Sequence, residues 1–262
     1  MTFKVATFNT NSVRARTPIV LAWLEKNGPD VLCLQETKVR DDAFPKEAFV
    51  EAGYRPLFQG EKSYNGVAML IREPADVKNV RYGLDDDGPP DESRLLVAEV
   101  RGIPIVNTYV PQGQDPKAEI FQYKLAWFAR LRSYFDRHFL PQEPLLWVGD
   151  FNVAPERIDV HDPGRLLGHV GFHPDEHKAL AAVKAWGFVD VFRKHVPGPN
   201  QYTFWDYRVK DGVARGKRWR VDHIWATAPL ADRSKRAWID PDPRLAERPS
   251  DHTVLAAEFN IP

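Results

Sequence analysis

The chain has 262 residues, is 43% hydrophobic and 12% aromatic, and sets 36 Lys and Arg against 36 Asp and Glu. That is enough apolar material for a sizeable core, and zero net charge excludes any argument for a partner from bulk charge, so a nucleic-acid surface would need its cations clustered. One cysteine, Cys33, excludes an intrachain disulfide and favours a cytoplasmic setting; with no membrane-length apolar run and no secretory pattern at the N-terminus, no membrane association is expected.

Phe3 to Phe8 alternates as a strand and ends at Asn9-Thr10-Asn11-Ser12. Thr17-Pro18 then supplies an N-cap and a proline at the first helical position, Val20, Trp23 and Leu24 share a face, and Gly28-Pro29 stops the helix. Val31 to Leu34 is the next strand, with Cys33 inside it as a small buried hydrophobe and Gln35-Glu36-Thr37-Lys38 at its end. Strands are expected at 54–58, 66–72, 77–82, 95–100 and 103–109, with the acidic stretch 85–92 as a solvated loop. Residues 116–138 form a long amphipathic helix bearing Phe121, Leu125, Phe128, Leu131 and Phe135. A strand from Leu145, a helix over 175–186 ended by Gly187, and strands at 202–207, 220–227 and 254–259 complete the chain. No Gly/Ser-rich linker and no repeat divides it. The pattern predicts one domain over residues 1–262, with two packed β-sheets and helices outside.

The chemistry gathers at strand ends. Leu145 to Val148 is a short buried strand; the chain is expected to turn at Gly149 and to present Asp150 and Asn152 on one face at strand spacing. A carboxylate and a carboxamide so placed can hold a water and a metal together. The plain alternative is an Asp/Asn turn closing a strand. Other strand ends tip the balance: Asn9, Glu36, Tyr109 and Asp222 terminate or open apolar runs, and Ser250-Asp251-His252 precedes the last strand. Strand ends of a layered sheet face a common rim, so these groups can converge. The donors are oxygen-rich and thiol-free, which selects Mg²⁺ or Mn²⁺ over zinc. No phosphate-binding GxxxxGK[ST] loop and no GxSxG elbow is present. Carboxylates, a carboxamide and a His with an Asp to orient it suit hydrolysis of a phosphate ester.

The segments FNTNSVRAR (Phe8–Arg16), LQETK (Leu34–Lys38), NGVAML (Asn65–Leu70), YVPQG (Tyr109–Gly113), GDFNVAP (Gly149–Pro155), YTFWDYR (Tyr202–Arg208), RWRVDHI (Arg218–Ile224) and PSDH (Pro249–His252) run nearly end to end. On them the chain resembles the exonuclease III-type AP endonucleases, within the endonuclease/exonuclease/phosphatase superfamily that includes deoxyribonuclease I. The resemblance implies an α/β four-layer sandwich, two packed mixed β-sheets flanked by helices. It implies metal ligation by Glu36, aided by Asn9 and Asp251, with Asp150 and Asn152 at the same centre. Asp150 would activate the attacking water, Asn152 would orient it, His252 set by Asp222 would stabilise phosphoryl charge, and Tyr109 would donate a hydrogen bond. It implies Mg²⁺, with Mn²⁺ able to substitute, and double-stranded DNA with abasic sites as the partner of a monomer. One departure stands out: the family often carries a Lys before an aromatic pair in the helix after YVPQG, where this chain has Glu119 and Ile120, leaving Lys117 or Lys124 to substitute.

Basic residues cluster at Arg14 and Arg16, at Arg208 and Lys210, and over Arg215–Arg220. With interleaved aromatics the last two clusters give Trp205, Arg208 and Trp219 as candidate DNA contacts, and Arg94 and Gln112 are further candidates. If Phe204 packs inward, alternation sends Trp205 to the rim. Two other readings compete: a superfamily enzyme acting on a small phosphate ester, and a catalytically weak DNA-binding homologue. The first is disfavoured by the aromatic and basic segment 202–220, the second by the presence of Glu36, Asp150, Asp222, Asp251 and His252.

Overall fold

The computed structural model describes residues 1–90, 93–206 and 218–261. Strand β1 (Thr2–Asn9), helix α1 (Val13–Asn27) and strand β2 (Val31–Gln35) are followed by the short helix α2 (Lys46–Glu51) and strands β3 (Tyr54–Gln59) and β4 (Val67–Arg72). Strands β5 (Val77–Tyr82), β6 (Leu95–Val100) and β7 (Ile103–Tyr109) lead into helix α3 (Glu119–His138) and strand β8 (Leu146–Asp150). Helices α4 (Pro163–Leu166) and α5 (Pro174–Lys184), strand β9 (Phe188–Asp190) and helix α6 (Val191–His195) come next. Strands β10 (Phe204–Trp205), β11 (Arg218–Trp219) and β12 (Asp222–Thr227), helix α7 (Ala228–Ala231), strand β13 (Ser234–Asp240), helix α8 (Asp242–Leu245) and strand β14 (Val254–Asn260) finish the order.

The strands form two six-stranded sheets, β13-β14-β1-β2-β4-β3 and β5-β6-β7-β8-β12-β9, and a β10-β11 ribbon. Each large sheet is mixed: β1–β2 and β7–β8 are parallel, the other pairs antiparallel. Strict alternation sorts the side chains into layers. Val5, Cys33, Met69 and Leu255 of the first sheet meet Ile105, Leu146, Val148 and Ile224 of the second in the central core. The opposite residues, Ala6, Leu32, Leu34 and Ala256, pack under α1 with Trp23 and Leu24. Val106, Trp147 and Trp225 pack under α3 and α5 with Phe128, Leu131, Phe135 and Leu180. The result is the four-layer α/β sandwich.

Toward the C-terminal ends of β1, β2 and β7 the inter-sheet residues turn polar. Gln35 donates to Asn107 Oδ1 across the sheets at 2.7 Å and to Thr7 at 2.9 Å, and Asn107 donates to the carbonyls of Leu34 and Ala68. This fully buried polar layer is the floor on which the site stands.

Three local expectations are corrected. Helix α1 starts at Val13, a turn before Thr17, because Ser12 and Val13 donate their amides to the Glu36 and Thr37 carbonyls at the end of β2. Thr17 Oγ1 then donates to the Val13 carbonyl inside the helix instead of capping it, and Pro18 lies within. The chain does not turn at Gly149: β8 continues to Asp150, and glycine is needed because a Cβ there, at φ +134°, would sit 2.0 Å from the Thr108 carbonyl oxygen. Strand β13 was not expected; its Ser-Lys-Arg start belongs to an edge strand whose charges face water.

Candidate active site

Three neighbouring strands of the second sheet deliver Tyr109, Asp150 and Asp222 in one row, since Asp150 is in register with Tyr109 on β7 and with Asp222 on β12. Paired residues share a face, so all three point at the first sheet. That sheet contributes Asn9 at the end of β1, Glu36 just beyond β2, and Asp251 and His252 just before β14. Asn9 ties the two sheets together: its Nδ2 donates to Glu36 Oε1 and to Asp150 Oδ2, each at 2.8 Å, while its Oδ1 accepts from the Asn11 amide. Asn9 therefore meets the carboxylates as a donor.

Glu36, Lys38 and Asn152 hold φ of +48°, +53° and +51°, in the left-handed region. Such backbone costs on the order of 1–3 kcal/mol per residue outside glycine and persists where surroundings over-determine it. Asn152 thus reaches Asp150 through a strand-end turn and not by strand alternation: its amide donates to Asp150 Oδ1 at 2.8 Å, and its Nδ2 to the Val110 carbonyl at 2.9 Å.

The charges are tuned by this packing. Burial pushes the Asp150 carboxyl up to about 7, His252 opposing the rise and Asp222 adding to it. Burial alone would lower His252, but Asp222, whose Oδ2 sits 2.8 Å from Nδ1, and Asp150, 3.8 Å from Nε2, push it up to about 10. The ring is a cation at neutral pH. Burial would also raise Glu36, yet the Lys38 ammonium at 2.6 Å and the Asn9 bond hold it below the ordinary carboxylate value. Burial, then Glu36 and Asp150, hold the Tyr109 phenol well above its usual range, so it keeps its proton.

Glu36, Asp150 and His252 each place one ligating atom within 4.8 Å of the others. The imidazole is a protonated donor held by Asp222, which leaves the two carboxylates as hard oxygen donors for a divalent cation. Asp251 stands aside from this group: its Oδ1 accepts from Asn11 Nδ2 at 3.0 Å, and it lines the same pocket.

That pocket, about 380 Å³, is lined by Glu36, Tyr109, Asn152, Asp251 and His252 of the groups above, together with Phe204, Trp219, Val221, Val170 and Gly171. The β10-β11 ribbon puts Phe204 opposite Trp219, so both rings share the pocket face. Phe204 packs on His252 with centroids 4.9 Å apart. Trp219 leans on Gly171, where a Cβ would come within 3.1 Å of the indole. The expected orientation is inverted: Phe204 lines the pocket, and Trp205 turns the other way, with the Arg244 guanidinium 5.8 Å from its ring centroid. Alternation gave two faces without saying which was inner; Phe204 and Val221 were missed for that reason.

The other candidates divide. Gln112 is exposed and lines this pocket and a contiguous groove of about 510 Å³ beyond Trp219. Arg94 is buried instead of facing outward, its guanidinium 4.8 Å from the Tyr109 ring centroid and bonded to the Tyr109 carbonyl. Lys124 cannot meet a phosphate, being fully buried against Glu176; Lys117 is exposed. Arg208 and Lys210 lie outside the described residues.

The Endonuclease/Exonuclease/phosphatase family profile matches residues 6–252. Exodeoxyribonuclease III of Haemophilus influenzae is 34% identical over 268 residues, covering 98% of this chain and 99% of the relative. The chain belongs to the Endonuclease/Exonuclease/phosphatase family. Among solved structures, that of an AP endonuclease from Archaeoglobus fulgidus is 46% identical, with a TM-score of 0.94 and coverage of 99% of this chain and 100% of that one. The 3′ phosphatase NExo from Neisseria, solved with a product DNA hairpin, is 32% identical with a TM-score of 0.93, covering 99% and 100%. By these likenesses the chain is a nuclease of the exodeoxyribonuclease III and AP endonuclease group.

Proposed function

We propose that the chain hydrolyses DNA phosphodiesters on the 5′ side of abasic sites in base excision repair, using Mg²⁺, with Mn²⁺ able to substitute. The observation that carries this is the junction of two surfaces. Tyr109 and His252, with Asp150 buried just behind them, border a small wall formed by Phe204, Trp219 and Val221. An apolar wall close to the reacting centre suits a bare deoxyribose, because it offers contact area without asking for base-edge hydrogen bonds.

Glu36 and Asp150 would hold the metal, with Asn9, Asn152 and Asp251 around them. When bound it supplies positive charge against the phosphoryl oxygens and the leaving 3′-oxygen. The protein's own groups do the rest. Asp150 takes a proton from the attacking water, its two oxygens already fixed by the Asn152 amide and Asn9 Nδ2. Asn152 orients that water. His252, kept cationic by Asp222, and Tyr109, kept protonated by burial, donate hydrogen bonds to the phosphoryl oxygens as charge builds there. The bond from phosphorus to the 3′-oxygen breaks, giving a 3′-hydroxyl and a 5′-phosphate on the abasic sugar. The same groups serve 3′→5′ exonuclease and 3′-phosphatase chemistry, in which less of the sugar wall is used. We place the enzyme in the cytoplasm as a monomer, the former on its single, buried cysteine.

The test is product analysis on abasic, 3′-phosphate, blunt and uracil-containing duplexes with Mg²⁺, beside soluble phosphoesters and with Asp150→Asn as control. A single nick 5′ to the abasic site is expected. The variant should lose on the order of 10²–10⁴ in rate and still bind the duplex. Faster turnover of a soluble ester than of abasic duplex assigns a small-molecule substrate instead.

A further inference from the structure

Behind the pocket lies an ion pair that the chemistry above does not use. Lys124 of α3 and Glu176 of α5 are completely buried and joined at 2.5 Å. The ammonium has three protons, and the structure gives it three acceptors: Glu176 Oε1, the Asn152 carbonyl at 2.8 Å and the Gln112 carbonyl at 3.2 Å. The other Glu176 oxygen accepts from the Gly171 amide at 2.7 Å and the His173 amide at 3.1 Å. Apart from their bond to each other, every one of these contacts is to main chain. The main chain in question belongs to three segments that reach the pocket: the loop after β7, the turn after β8, and the stretch that carries Val170 and Gly171.

A buried ion pair is poor evidence for stability, since taking both charges out of water offsets their attraction, and an apolar pair of similar volume often serves the fold as well. What an apolar pair cannot do is fix four backbone groups. Loops lack the regular hydrogen bonding that positions a strand, and Asn152 and Gly171 both hold left-handed backbone, at φ +51° and +85°. An outside anchor decides where such residues sit. Gly113, at φ +93°, lets the Lys124 stem pass: a Cβ there would stand 3.2 Å from the Lys124 Cδ.

We propose that the Lys124–Glu176 pair is a positioning element for strand cleavage, holding Asn152 and the Gly171 wall at working distance from Asp150 and Trp219. This rests on the reading of the site as a DNA-cleaving one. The ammonium never touches substrate; it acts through the backbone of the residues that do. Misplacing a reacting or orienting group by about 1 Å costs on the order of 10²-fold in rate, so the brace should govern the chemical step far more than affinity.

The decisive variant is Lys124→Met with Glu176→Met, which removes both charges, keeps nearly the same volume and takes the side-chain partner from all four backbone groups. Single-turnover cleavage of abasic duplex, duplex affinity, melting temperature and amide hydrogen exchange are measured on one preparation. The expected result is a melting temperature lowered by no more than a few degrees, since relief of the buried charges offsets part of the cost of the unpartnered backbone groups, affinity within about threefold, cleavage slower by roughly 10- to 100-fold, and faster exchange confined to peptides spanning 150–154 and 170–173. If the double variant regains both the wild-type rate and wild-type exchange, the pair is merely structural and the proposal is overturned. Should that variant not fold, Glu176→Asp keeps both charges and shortens the reach by one methylene. It should show the same two local changes, and unchanged rate and exchange overturn the proposal equally. Exchange is read without substrate, so a wild-type protein that fails to nick abasic duplex counts against the functional reading alone.

Discussion

Replacing Trp219 with alanine separates the sugar wall from the phosphate chemistry. The indole lines the pocket opposite Asp251 and His252 and is half-buried against Gly171, Ala154, Val160 and Phe172. If half its face, on the order of 60–80 Å², meets the abasic sugar, then roughly 25 cal/mol per Å² gives about 1.5–2 kcal/mol, or about 10- to 30-fold in rate. A fully buried Trp→Ala change costs about 3–5 kcal/mol; half-burial brings this to ~2 kcal/mol, or about 4–8 °C for a chain of this size. Removal of a 3′-phosphate needs Asp150 and His252 and little of the wall, so it should stay within about threefold, because only contacts made to the reacting group affect it. Trp205→Ala is the internal control. That ring faces Arg244, away from the pocket, and both activities should stay within about threefold of wild type. Steady-state rates on both substrates and a thermal melt are taken from the same preparations, below the lower melting temperature. Parallel loss of both activities in Trp219→Ala, or a larger loss of abasic cleavage in Trp205→Ala, would refute the placement of the wall.

Three further outcomes follow from the charges. In Asp222→Asn, His252 loses the partner that most raises its pKa; the cation is the working form, so the alkaline fall in kcat/KM should move to lower pH, and an unmoved limb dissociates Asp222 from His252. His223 is buried and neutral, donating to the Val153 carbonyl and accepting from Arg220, with burial pushing it down to about 3. The unfolded chain binds that proton from about pH 6.5 downward and the folded chain does not, so stability falls with pH across 6.5 to 3; urea unfolding at pH 7 and 5 should show wild type losing about 2 kcal/mol more than His223→Gln, and equal losses reject the assignment. In Glu36→Ala, the Mg²⁺ or Mn²⁺ concentration for half-saturation, read by calorimetry as well as by activity, should rise by about tenfold, ~1.4 kcal/mol, while an unchanged midpoint removes Glu36 from the ligand set.

The parts of the site that were legible in the amino-acid sequence are those set by strand endings. Tyr109, Asp150 and Asp222 close or open runs whose apolar alternation marks them as strands, and the structure brings them into one row. What alternation leaves open is which face is inner, and hence Phe204 and Trp205 were exchanged. Local grammar also yields to distant contacts. Thr17-Pro18 is a good helix start, but the end of β2 receives the Ser12 and Val13 amides and begins α1 a turn sooner. Lys124 looked like a phosphate contact because nothing local shows that Glu176, 52 residues on, lies beside it. Strand β13 is half-exposed along an edge, so its residues carry no apolar rhythm to read.

The polar floor beneath the site bears on how the two sheets are aligned. Apolar faces slide over one another at little cost, because contact area is indifferent to small shifts. The bond from Gln35 to Asn107 is directional and, being buried, leaves unpaired groups if it slips by even one residue. It pins the sandwich like a dowel a short way below Asn9, whose own bond to Asp150 spans 141 residues of sequence and closes the same seam. Tyr109 and Asp150 ride on one side of that seam and His252 on the other. A leucine pair at 35 and 107 would keep the apolar packing but strand the buried Thr7 hydroxyl and free the two halves to drift, so catalysis would be lost through misalignment with every catalytic residue still present in the chain.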